Sequence, residues 1–381
     1  TLFQQHEYIY STSYHEFLTS RVGLREDTAN IFYSMIRLLW GVDGKHLNIM
    51  DSISLGAPGL QSMGSAAKIF KYILQKLDDS ESLYFPDGNA SVARLLVKKL
   101  IPAVTTDSVS FDNISTSVFN YEKLDHHEHS VRLRLNSTVV GAKEDGNGSV
   151  YVNYVKNGEA FRVKSKHSIL ACYNSIIPHL CPELPEQQKE AIGYAEKVPF
   201  VWVNVHLSNG VAFSKINAKL IQCPNDPFDV VTVSPPTTTG GYQPPTNSDD
   251  PVVLFLMGIP KFQVDANDSL RDIYKKGRQI IYTTSFETYE KQIRSQLESL
   301  MGNYGFKQSD ILAITVNRWP HGYAYEYNSL HDPEWKEGEA PHEIGRAQFG
   351  RISIANSDSE ASAYVNAAID SAWRAVEEQT T

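Results

Sequence analysis

The stretch ISIANSDSEASAYVNAAI, residues 352–369, decides how the C-terminal part of the chain folds. Its first four residues, Ile352 to Ala355, have the two-residue alternation of apolar side chains that indicates a β-strand. The next residues have the polar side chains that are typical of a turn, and they are Asn356, Ser357 and Asp358. A helix rich in alanine follows. The stretch therefore predicts a strand, a polar turn and a helix in succession, and the question is what the turn binds.

A second informative stretch is RWPHGYAYEYN, residues 318–328, which directly follows the predicted strand 311–317. Binding groups concentrate where strands end. The candidate side chains of this stretch are Trp319, His321, Tyr323, Tyr325 and Glu326. An aromatic core under a long loop explains the same pattern. His321 fits either a catalytic base or an ordinary loop histidine, so these interpretations stay open.

The first half of the chain changes from helical to strand periodicity. Residues 27–40 and 65–77 have the apolar spacing of amphipathic helices. The sequence FPDGN then predicts a turn, in which Asn89 caps a helix over 90–100. From residue 131 the pattern alternates every two residues between glycine-rich turns, which predicts β-hairpins. This part of the chain thus contains both helices and an antiparallel sheet.

The second half contains further strands and one long helix. The predicted strands cover residues 200–207, 218–223, 229–234 and 252–259. The last of these is continuously apolar, which indicates a strand covered on both faces. Residues 235–251 are rich in proline, glycine and threonine and predict a surface insertion. Thr284 and Glu287 predict a capping box for a helix with the inner stripe Phe286, Tyr289, Ile293, Leu297 and Leu300. The elements together predict a mixed α/β (α+β) fold.

The composition is that of a soluble globular protein of two or three domains. The 381 residues are 41% hydrophobic and 21% charged, with a formal net charge of −9 and a pI of about 5.7. This acidity, and the lack of a basic stripe interleaved with aromatic residues, excludes a nucleic-acid partner and favours a cationic one. No apolar run reaches the length of a membrane span. The sequence does not indicate the oligomeric state.

Neither metal binding nor hydrolysis is predicted. Three cysteines, Cys172, Cys181 and Cys223, lack the spacing of a metal site. The loop DHHEHS, residues 125–130, offers imidazoles and carboxylates, but adjacent ligands seldom converge on one ion, so we interpret it as a solvated loop. No Gly-x-Ser-x-Gly motif or Cys–His arrangement indicates a hydrolase. The chain begins at Thr1 without a signal peptide, which we interpret as processing, excision or truncation, and the localisation stays unknown.

Five segments occur in the order and approximate spacing of a known family. They are FPDGN before a helix, LNSTVV in a hairpin, VPFVWVNVHL, RWPHGYAYEYN and GRISIANSDSEASAYVNAAIDSAWRAV. In these segments the chain resembles the flavin-dependent amine oxidoreductases of the monoamine and polyamine oxidase superfamily. It looks most like the bacterial spermidine dehydrogenases, which also carry IANSD in the C-terminal strand. This closer resemblance implies a periplasmic location. The resemblance extends from about residue 30 onward.

The resemblance implies an FAD site and a substrate site. The alanines of the final helix keep it slender, so that its backbone can approach the flavin ring. The implied cofactor contacts are Val139 to adenine, Asn356, Ser357 and Asp358 around the ribityl and phosphate groups, and Tyr364 and the Val365 amide at the flavin ring. Tyr364 forms one wall of an aromatic cage, and Tyr323 or Tyr325 forms the other. Substrate contacts are implied for Glu326, His321, Trp319 and Asn204, the last at the family's lysine position near the flavin.

The implied reaction is FAD-dependent oxidation of an amine, such as spermidine, by hydride transfer to the flavin. The architecture implied is a remnant FAD-binding region, residues 81–178 and 318–381, interleaved with a mixed-sheet substrate domain, residues 1–80 and 179–317. The sequence lacks the N-terminal Gly-x-Gly-x-x-Gly turn that holds the FAD pyrophosphate. We therefore expect weakened FAD affinity. The alternatives are a flavin-free, catalytically silent binding module, a fragment of a longer flavoenzyme, or a flavoenzyme that acts on a carbon chain.

Overall fold

The computed structural model describes residues 2–59, 85–265 and 267–380, and the predicted helix 65–77 lies outside them. Within these residues the α-helices are Leu2–Ser11, Tyr14–Glu16, Glu26–Asn30, Ser34–Trp40, Ile49–Ser54, Ala90–Leu100, Ile177–Leu180, Glu186–Tyr194, Val211–Ile216, Leu270–Thr283, Phe286–Met301, Pro341–Gly345 and Val365–Thr380. We call Val365–Thr380 the final helix. None of the described helices is long and apolar enough to cross a lipid bilayer.

The described strands are β1 Pro86–Asn89, β2 Ser137–Glu144, β3 Val150–Lys156, β4 Glu159–Ser165, β5 Ser168–Leu170, β6 Val198–Leu207, β7 Leu220–Gln222, β8 Val230–Val233, β9 Val252–Gly258, β10 Ile311–Tyr323 and β11 Ile352–Ile354. All of them except β1 pair with one another in three sheets. An antiparallel five-stranded sheet has the order β10-β6-β9-β8-β7, and β2, β3 and β4 form an antiparallel meander. Strands β5 and β11 pair in parallel. The predicted mixed α/β fold is confirmed.

The five-stranded sheet packs one face against two helices. Alternate residues of β6, such as Val203 and Val205, are fully buried with Ile293 and Leu297 of helix Phe286–Met301. The intervening residues of β6 lie on the other face, because successive side chains of a strand point to opposite sides. Strand β9 is confirmed at the predicted place. All its residues are buried or half-buried, as expected for a strand covered on both faces.

The N-terminal helices form a second core that contacts the five-stranded sheet. This core includes Tyr14, Phe17, Tyr33, Ile36 and Ile49. The Arg37 guanidinium reaches the buried Asp229 carboxylate at the start of β8, at 3.3 Å. The Tyr274 hydroxyl donates to the Trp40 carbonyl at 2.6 Å. These contacts fix the end of the helical segment against the sheet, where a cavity lies.

Strand pairing joins segments that are far apart in sequence. Strand β10 pairs with β6, so that Tyr323 lies opposite Val198. Strand β11 pairs with β5, so that Ile352 lies opposite Ser168. The chain therefore passes between the sheets more than once. The proposed division into two interleaved regions stays a prediction.

Two predicted helix caps are wrong. Asn89 adopts a helical backbone conformation and its side chain does not cap, because an N-cap residue needs an extended backbone. Asp87 instead accepts from the hydroxyl of Ser91 and from the guanidinium of Arg94. In the later helix the cap is Ser285, which accepts from the Thr288 amide. The capping box of Thr284 and Glu287 therefore does not form.

Two further boundaries differ from the sequence prediction. Phe286 stands at the helix start and is half exposed, so the inner stripe of its helix begins at Tyr289. The first hairpin strand begins at Ser137 rather than at residue 131. The predicted strand at 352–355 is confirmed as β11, with a 3₁₀ turn, Ser357–Glu360, between it and the final helix. Ala361 adopts a left-handed conformation with φ of 46° and redirects the chain toward the helix.

Candidate active site

A cavity of about 400 Å³ lies where the N-terminal helices, the ends of β6 and β10 and the start of the final helix meet. Its lining includes Trp40, Asp51, Val198, Tyr323, Glu326 and Tyr364. Tyr323, Glu326 and Tyr364 come from the two stretches that the sequence analysis singled out. Trp40 and Asp51 come from the N-terminal helices, within the residues 1–80 that the sequence assigned to the substrate domain, but neither residue was predicted to line the site.

Tyr323 and Tyr364 supply aromatic walls of the cavity. Tyr323 ends strand β10, and its ring stacks on Phe200 with centroids 4.6 Å apart. Tyr364 directly precedes the final helix and keeps 63% of its surface exposed. Burial raises the pKa of the Tyr323 hydroxyl. The Tyr323 side chain is thus a neutral hydrogen-bonding aromatic at neutral pH.

Tyr325, the alternative candidate for a wall, does not reach the cavity. Its ring is almost fully buried in a core with Tyr274, and its hydroxyl donates to both oxygens of Asp332 at 2.8 and 2.9 Å. Tyr323 and Tyr325 stand two residues apart, but the chain leaves strand β10 at Tyr323. The strand alternation that would place both rings on one face therefore ends before Tyr325. We correct the predicted role of Tyr325 to a structural one.

Two carboxylates line the cavity. The Glu326 Oε1 atom accepts from the Ala363 amide at 2.9 Å, just before the final helix. Burial raises the pKa of Glu326, although this amide opposes the effect. Burial also raises the pKa of Asp51, a hydrogen bond from Asn48 lowers it, and the negative charge of Glu326 raises it. The cavity therefore places two acidic groups in a partly desolvated, aromatic environment.

Asp51 is positioned by Asn48. The Asn48 Nδ2 atom donates to Asp51 Oδ2 at 2.7 Å and to the Ser329 hydroxyl at 2.8 Å. Its Oδ1 atom accepts from the Asp51 amide at 2.7 Å, as the N-cap of helix Ile49–Ser54. An acidic residue three positions after a cap is typical of any helix start. For this reason no sequence pattern indicates that Asp51 lines a site.

The polar turn after β11 is held by contacts within the protein. Asn356 donates from Nδ2 to the Cys172 carbonyl at 2.8 Å and accepts from the Asp358 amide at 3.1 Å. The Ser357 hydroxyl donates to Asn356 Oδ1 at 3.1 Å. Asp358 is buried in an ion pair with Lys197, and its Oδ2 atom accepts from the Asn174 amide at 3.1 Å. The Asp358 carboxylate is therefore already paired, contrary to the expectation that it meets a ribityl chain.

Lys197 was not predicted, because the family's lysine position was assigned to Asn204, in the strand that includes the Val198–Pro199 pair. It stands one residue before this pair, almost fully buried. Its ammonium group also lies 4.7 Å from the Tyr173 ring centroid. The Lys197 ammonium thus joins the start of β6 to the turn after β11.

The fit to a flavin is good at the start of the final helix. Tyr364, Val365 and Asn366 are exposed there, and the first amides of a helix have no acceptor within the helix. Ala367 lies on the buried side and Ala368 is half-buried, so small side chains occupy this end of the helix. Val139, the implied adenine contact, is also exposed. These residues suit a planar, hydrogen-bonding ring, whereas Asp358 does not offer a free carboxylate.

Three other predicted site residues do not line this cavity. Asn204 lies on the face of β6 that points away from the buried core and donates to the Thr315 hydroxyl at 3.3 Å. Its predicted place near the flavin stays a prediction. Trp319 stacks near Phe200, with centroids 6.1 Å apart, and is 45% exposed. The His321 ring is 6.1 Å from that of Tyr173, and burial and the nearby Arg278 lower the pKa of His321.

No group of three or more histidine, cysteine, aspartate or glutamate side chains that could hold a metal ion occurs among residues 2–59, 85–265 and 267–380. The imidazoles of His126 and His127 are tilted by 34° with centroids 4.7 Å apart, in the loop that was interpreted as solvated.

Comparison with solved structures shows which fold this is. A double mutant of a putrescine oxidase, from a redesign of its cofactor binding, matches 98% of this chain and 68% of its own, at 15% identity and a TM-score of 0.57. The wild-type enzyme bound to putrescine matches 98% of this chain over 69% of its own length, with 14% sequence identity and a TM-score of 0.56. A cyclohexylamine oxidase from Brevibacterium oxydans matches 97% of this chain over 68% of its own length, with 10% sequence identity and a TM-score of 0.51. Neither a protein-family model nor a curated protein matches the chain. The chain thus has the fold of these amine oxidases.

Proposed function

We propose that this protein oxidises an amine, with FAD as the hydride acceptor, in the cavity between Tyr323 and Tyr364. The observation that carries the proposal is the cavity itself. It combines two tyrosine walls with two acidic side chains, Asp51 and Glu326, beside the exposed start of the final helix. The amine-oxidase fold supports the same reaction class. Aromatic walls exclude water and remain attractive to amine groups.

The protein's own contribution is to bind, orient and desolvate the amine. A protonated amine has no lone pair to assist removal of a hydride from the adjacent carbon, and a water-poor cavity favours the neutral form of an amine. Tyr323 is held rigidly by its stacking on Phe200, so it limits the orientations of a bound alkyl chain. FAD supplies the acceptor for the hydride. Water then hydrolyses the resulting imine.

We further infer that the substrate is a polyamine such as spermidine, in keeping with the resemblance to spermidine dehydrogenases. Such a substrate keeps positive charges away from the reacting carbon. Glu326 would bind one of these ammonium groups, because the Ala363 amide occupies only its Oε1 atom. Glu326→Gln is therefore expected to raise the KM for spermidine about tenfold or more, the usual effect of losing a charged hydrogen bond. An unchanged KM would remove Glu326 from this role.

Titration with FAD tests the cofactor directly. Binding is expected to shift the visible flavin bands and to quench flavin fluorescence. Val365 is the first residue of the final helix, where proline is tolerated but lacks the amide donor. Val365→Pro is therefore expected to weaken FAD binding about 3- to 10-fold, the effect of one hydrogen bond. Val365→Ala, which keeps the amide, is the matched control.

Two results would contradict the cofactor assignment. A chain that stays colourless at high FAD concentration would favour the flavin-free binding module. Equal FAD affinity of Val365→Pro and Val365→Ala would show that the Val365 amide does not contact the cofactor. Bleaching of the flavin bands by added spermidine, without oxygen, would support the reaction itself.

A further inference from the structure

We propose that His46 and His331 form a pH-sensitive switch, whose protonation opens the cavity of the candidate active site. The two imidazole rings stack with centroids 5.5 Å apart and an angle of 27° between their planes. His46 lies in the loop before helix Ile49–Ser54, and His331 lies in the loop after β10. We call residues 324–332 the post-β10 loop. The switch acts on the walls of the cavity, so it does not depend on FAD or on amine oxidation.

The histidine pair lies where two walls of the cavity are joined. Helix Ile49–Ser54 contributes Asp51 and Ser54 to the lining, and the post-β10 loop contributes Ala324 and Glu326. The helix and the loop are far apart in sequence, so only contacts between them keep these walls together. Separating the two segments therefore opens the cavity to water.

Three hydrogen bonds accompany the histidine pair at this junction. The Asn328 Nδ2 atom donates to the His46 carbonyl at 2.6 Å, and the Asn48 Nδ2 atom donates to the Ser329 hydroxyl at 2.8 Å. The Ser329 hydroxyl donates to the Tyr10 carbonyl at 2.5 Å. All three bonds join the post-β10 loop to the N-terminal helical segment. A displacement of either ring therefore strains the bonds that hold the loop in place.

The closed arrangement does not accommodate protonated rings. In the described part of the chain, the buried Nε2 atom of His331 has no hydrogen-bond partner, so a proton there has no acceptor. Burial lowers the pKa of both histidines, and the nearby His46 lowers that of His331 further. Two positive charges at this separation also repel each other. An open arrangement, in which water solvates both rings, thus binds protons more tightly.

The surrounding charges do not neutralise the pair. They are Asp43 and Lys45 in the loop of His46, Asp332 in the post-β10 loop, and Arg271 in helix Leu270–Thr283. For each histidine one acid raises the pKa and one base lowers it, and a hydrogen bond with the His46 backbone also raises the pKa of His331. Burial is the larger effect at both rings. The Asp332 carboxylate is moreover occupied by the Tyr325 hydroxyl.

The direction of the pH effect follows from the lowered pKa values. Histidine has its ordinary pKa of 6.5 in a solvated segment. The closed cavity is therefore fully stabilised above pH 6.5, and this stabilisation is lost as the pH falls from 6.5 through the lower pKa values of the closed state. Each opening takes up about two protons, one for each ring. We expect a closed cavity at neutral pH and an open one in mildly acidic solution.

The test measures amide hydrogen exchange of the full chain without FAD or amine, at about pH 7.5 and about pH 5.5, on either side of the ordinary histidine pKa. Dividing each rate by that of unfolded peptides at the same pH removes the intrinsic effect of pH. Acidification is expected to increase opening of residues 47–54 and 324–332 at least about tenfold more than opening of β6 and β9, because two close charges repel strongly. General acid destabilisation would instead affect all of these segments alike.

Three variants assign the effect to the histidine pair. The double variant His46→Gln/His331→Gln has no ring to protonate and is expected to lose the local response to pH. His331→Gln alone keeps one ring and is expected to lower the proton uptake from about two to about one, so the test does not depend on folding of the double variant. His206→Gln is the control, because His206 lies exposed on β6 and should leave the response unchanged.

Two results would overturn the switch. One is an equal response to pH in the two wall segments and in strands β6 and β9 of the wild-type chain. The other is a wild-type response in His331→Gln or in the double variant. Because neither FAD nor an amine is present, failure of the switch and failure of the proposed amine oxidation are observed separately.

Discussion

At the scale of single residues, Gly322 permits the aromatic wall. A Cβ atom at this position would lie 2.3 Å from a ring carbon of Phe200 and 2.6 Å from the Val198 carbonyl oxygen. Gly322→Ala must therefore displace Phe200 or strand β6, on which Tyr323 rests. We expect a loss of about 1–3 kcal/mol in the free energy of unfolding, the usual cost of overpacking, together with weaker amine binding.

Gly193→Ala is the control for Gly322→Ala. Gly193 lies in helix Glu186–Tyr194, and a Cβ atom there meets nothing within 4 Å. Alanine is favoured over glycine in a helix by up to about 1 kcal/mol. Chemical denaturation and calorimetry with 1,4-diaminobutane measure both effects. Equal stability of Gly322→Ala and the wild-type chain would show that strand β6 yields without cost.

The candidate site shows what single residues reveal in a sequence and what they do not. The aromatic stretch identified Tyr323 and Glu326 because a strand end is a common place for binding groups. It did not distinguish Tyr323 from Tyr325, because the choice depends on where strand β10 stops. Asp51 was not predicted, since its spacing from Asn48 has a sufficient local explanation as a helix cap. The sequence thus indicates the chemical character of the site better than it indicates which residues line it.

At the scale of elements, the buried pair of Lys197 and Asp358 connects β6 with the turn after β11. Removing one partner leaves an uncompensated buried charge, which costs about 3–5 kcal/mol. Lys197→Met and Asp358→Leu are each expected to lower the free energy of unfolding by this amount. The double variant is expected to recover most of the loss, because two apolar side chains can replace a buried ion pair.

Urea denaturation of the two single variants and the double variant gives the coupling energy between them. The exposed pair of Lys189 and Glu186, whose Nζ and Oε1 atoms are 2.7 Å apart, is the control. Its coupling energy is expected to be about 0–1 kcal/mol. Additive losses for Lys197→Met and Asp358→Leu would contradict a shared electrostatic contact.

The helix and strand boundaries agree with the sequence prediction where a single sequence pattern determines them. Strand β9 was predicted because the continuous apolar run of residues 252–259 has few alternatives, and the structure buries this strand at the centre of the sheet. The cap at Thr284 was wrong because the adjacent Ser285 has an equally suitable side chain and accepts from the Thr288 amide instead. The cap at Asn89 was wrong because the Asn89 backbone is helical and its side chain makes no capping hydrogen bond.

At the scale of the whole molecule, strand pairing was the part that the sequence could not specify. Patterns of alternation predicted strands near β5, β6, β10 and β11, but alternation carries no information about partners. The partners are separated by more than 100 residues. The resemblance to amine oxidoreductases implied an overall arrangement instead, and its division into two interleaved regions stays a prediction. The fold itself is shared with solved amine oxidases at identities of 10–15%, so it persists when most side chains differ.

The final helix exposes an apolar stripe that extends beyond the cavity. Val365, Ile369, Trp373 and Val376 are 40–70% exposed, whereas Ala367, Ser371 and Ala375 form the buried side. A contiguous exposed apolar surface promotes association of the protein with itself or with other molecules. The double variant Ile369→Glu/Trp373→Gln is therefore expected to lower light scattering at high protein concentration. Its melting temperature should not fall, because neither side chain belongs to the core.

Two control variants distinguish association through the apolar stripe from the effect of one exposed apolar side chain and from unfolding. Leu312→Gln replaces one exposed apolar side chain on strand β10 and is expected to leave scattering nearly unchanged, since isolated apolar residues are common on protein surfaces. Ala375→Glu places a charge on the fully buried side of the final helix and is expected to lower the melting temperature and raise scattering through unfolding. If Ile369→Glu/Trp373→Gln scatters as strongly as the wild-type chain at equal melting temperature, association must occur through another surface.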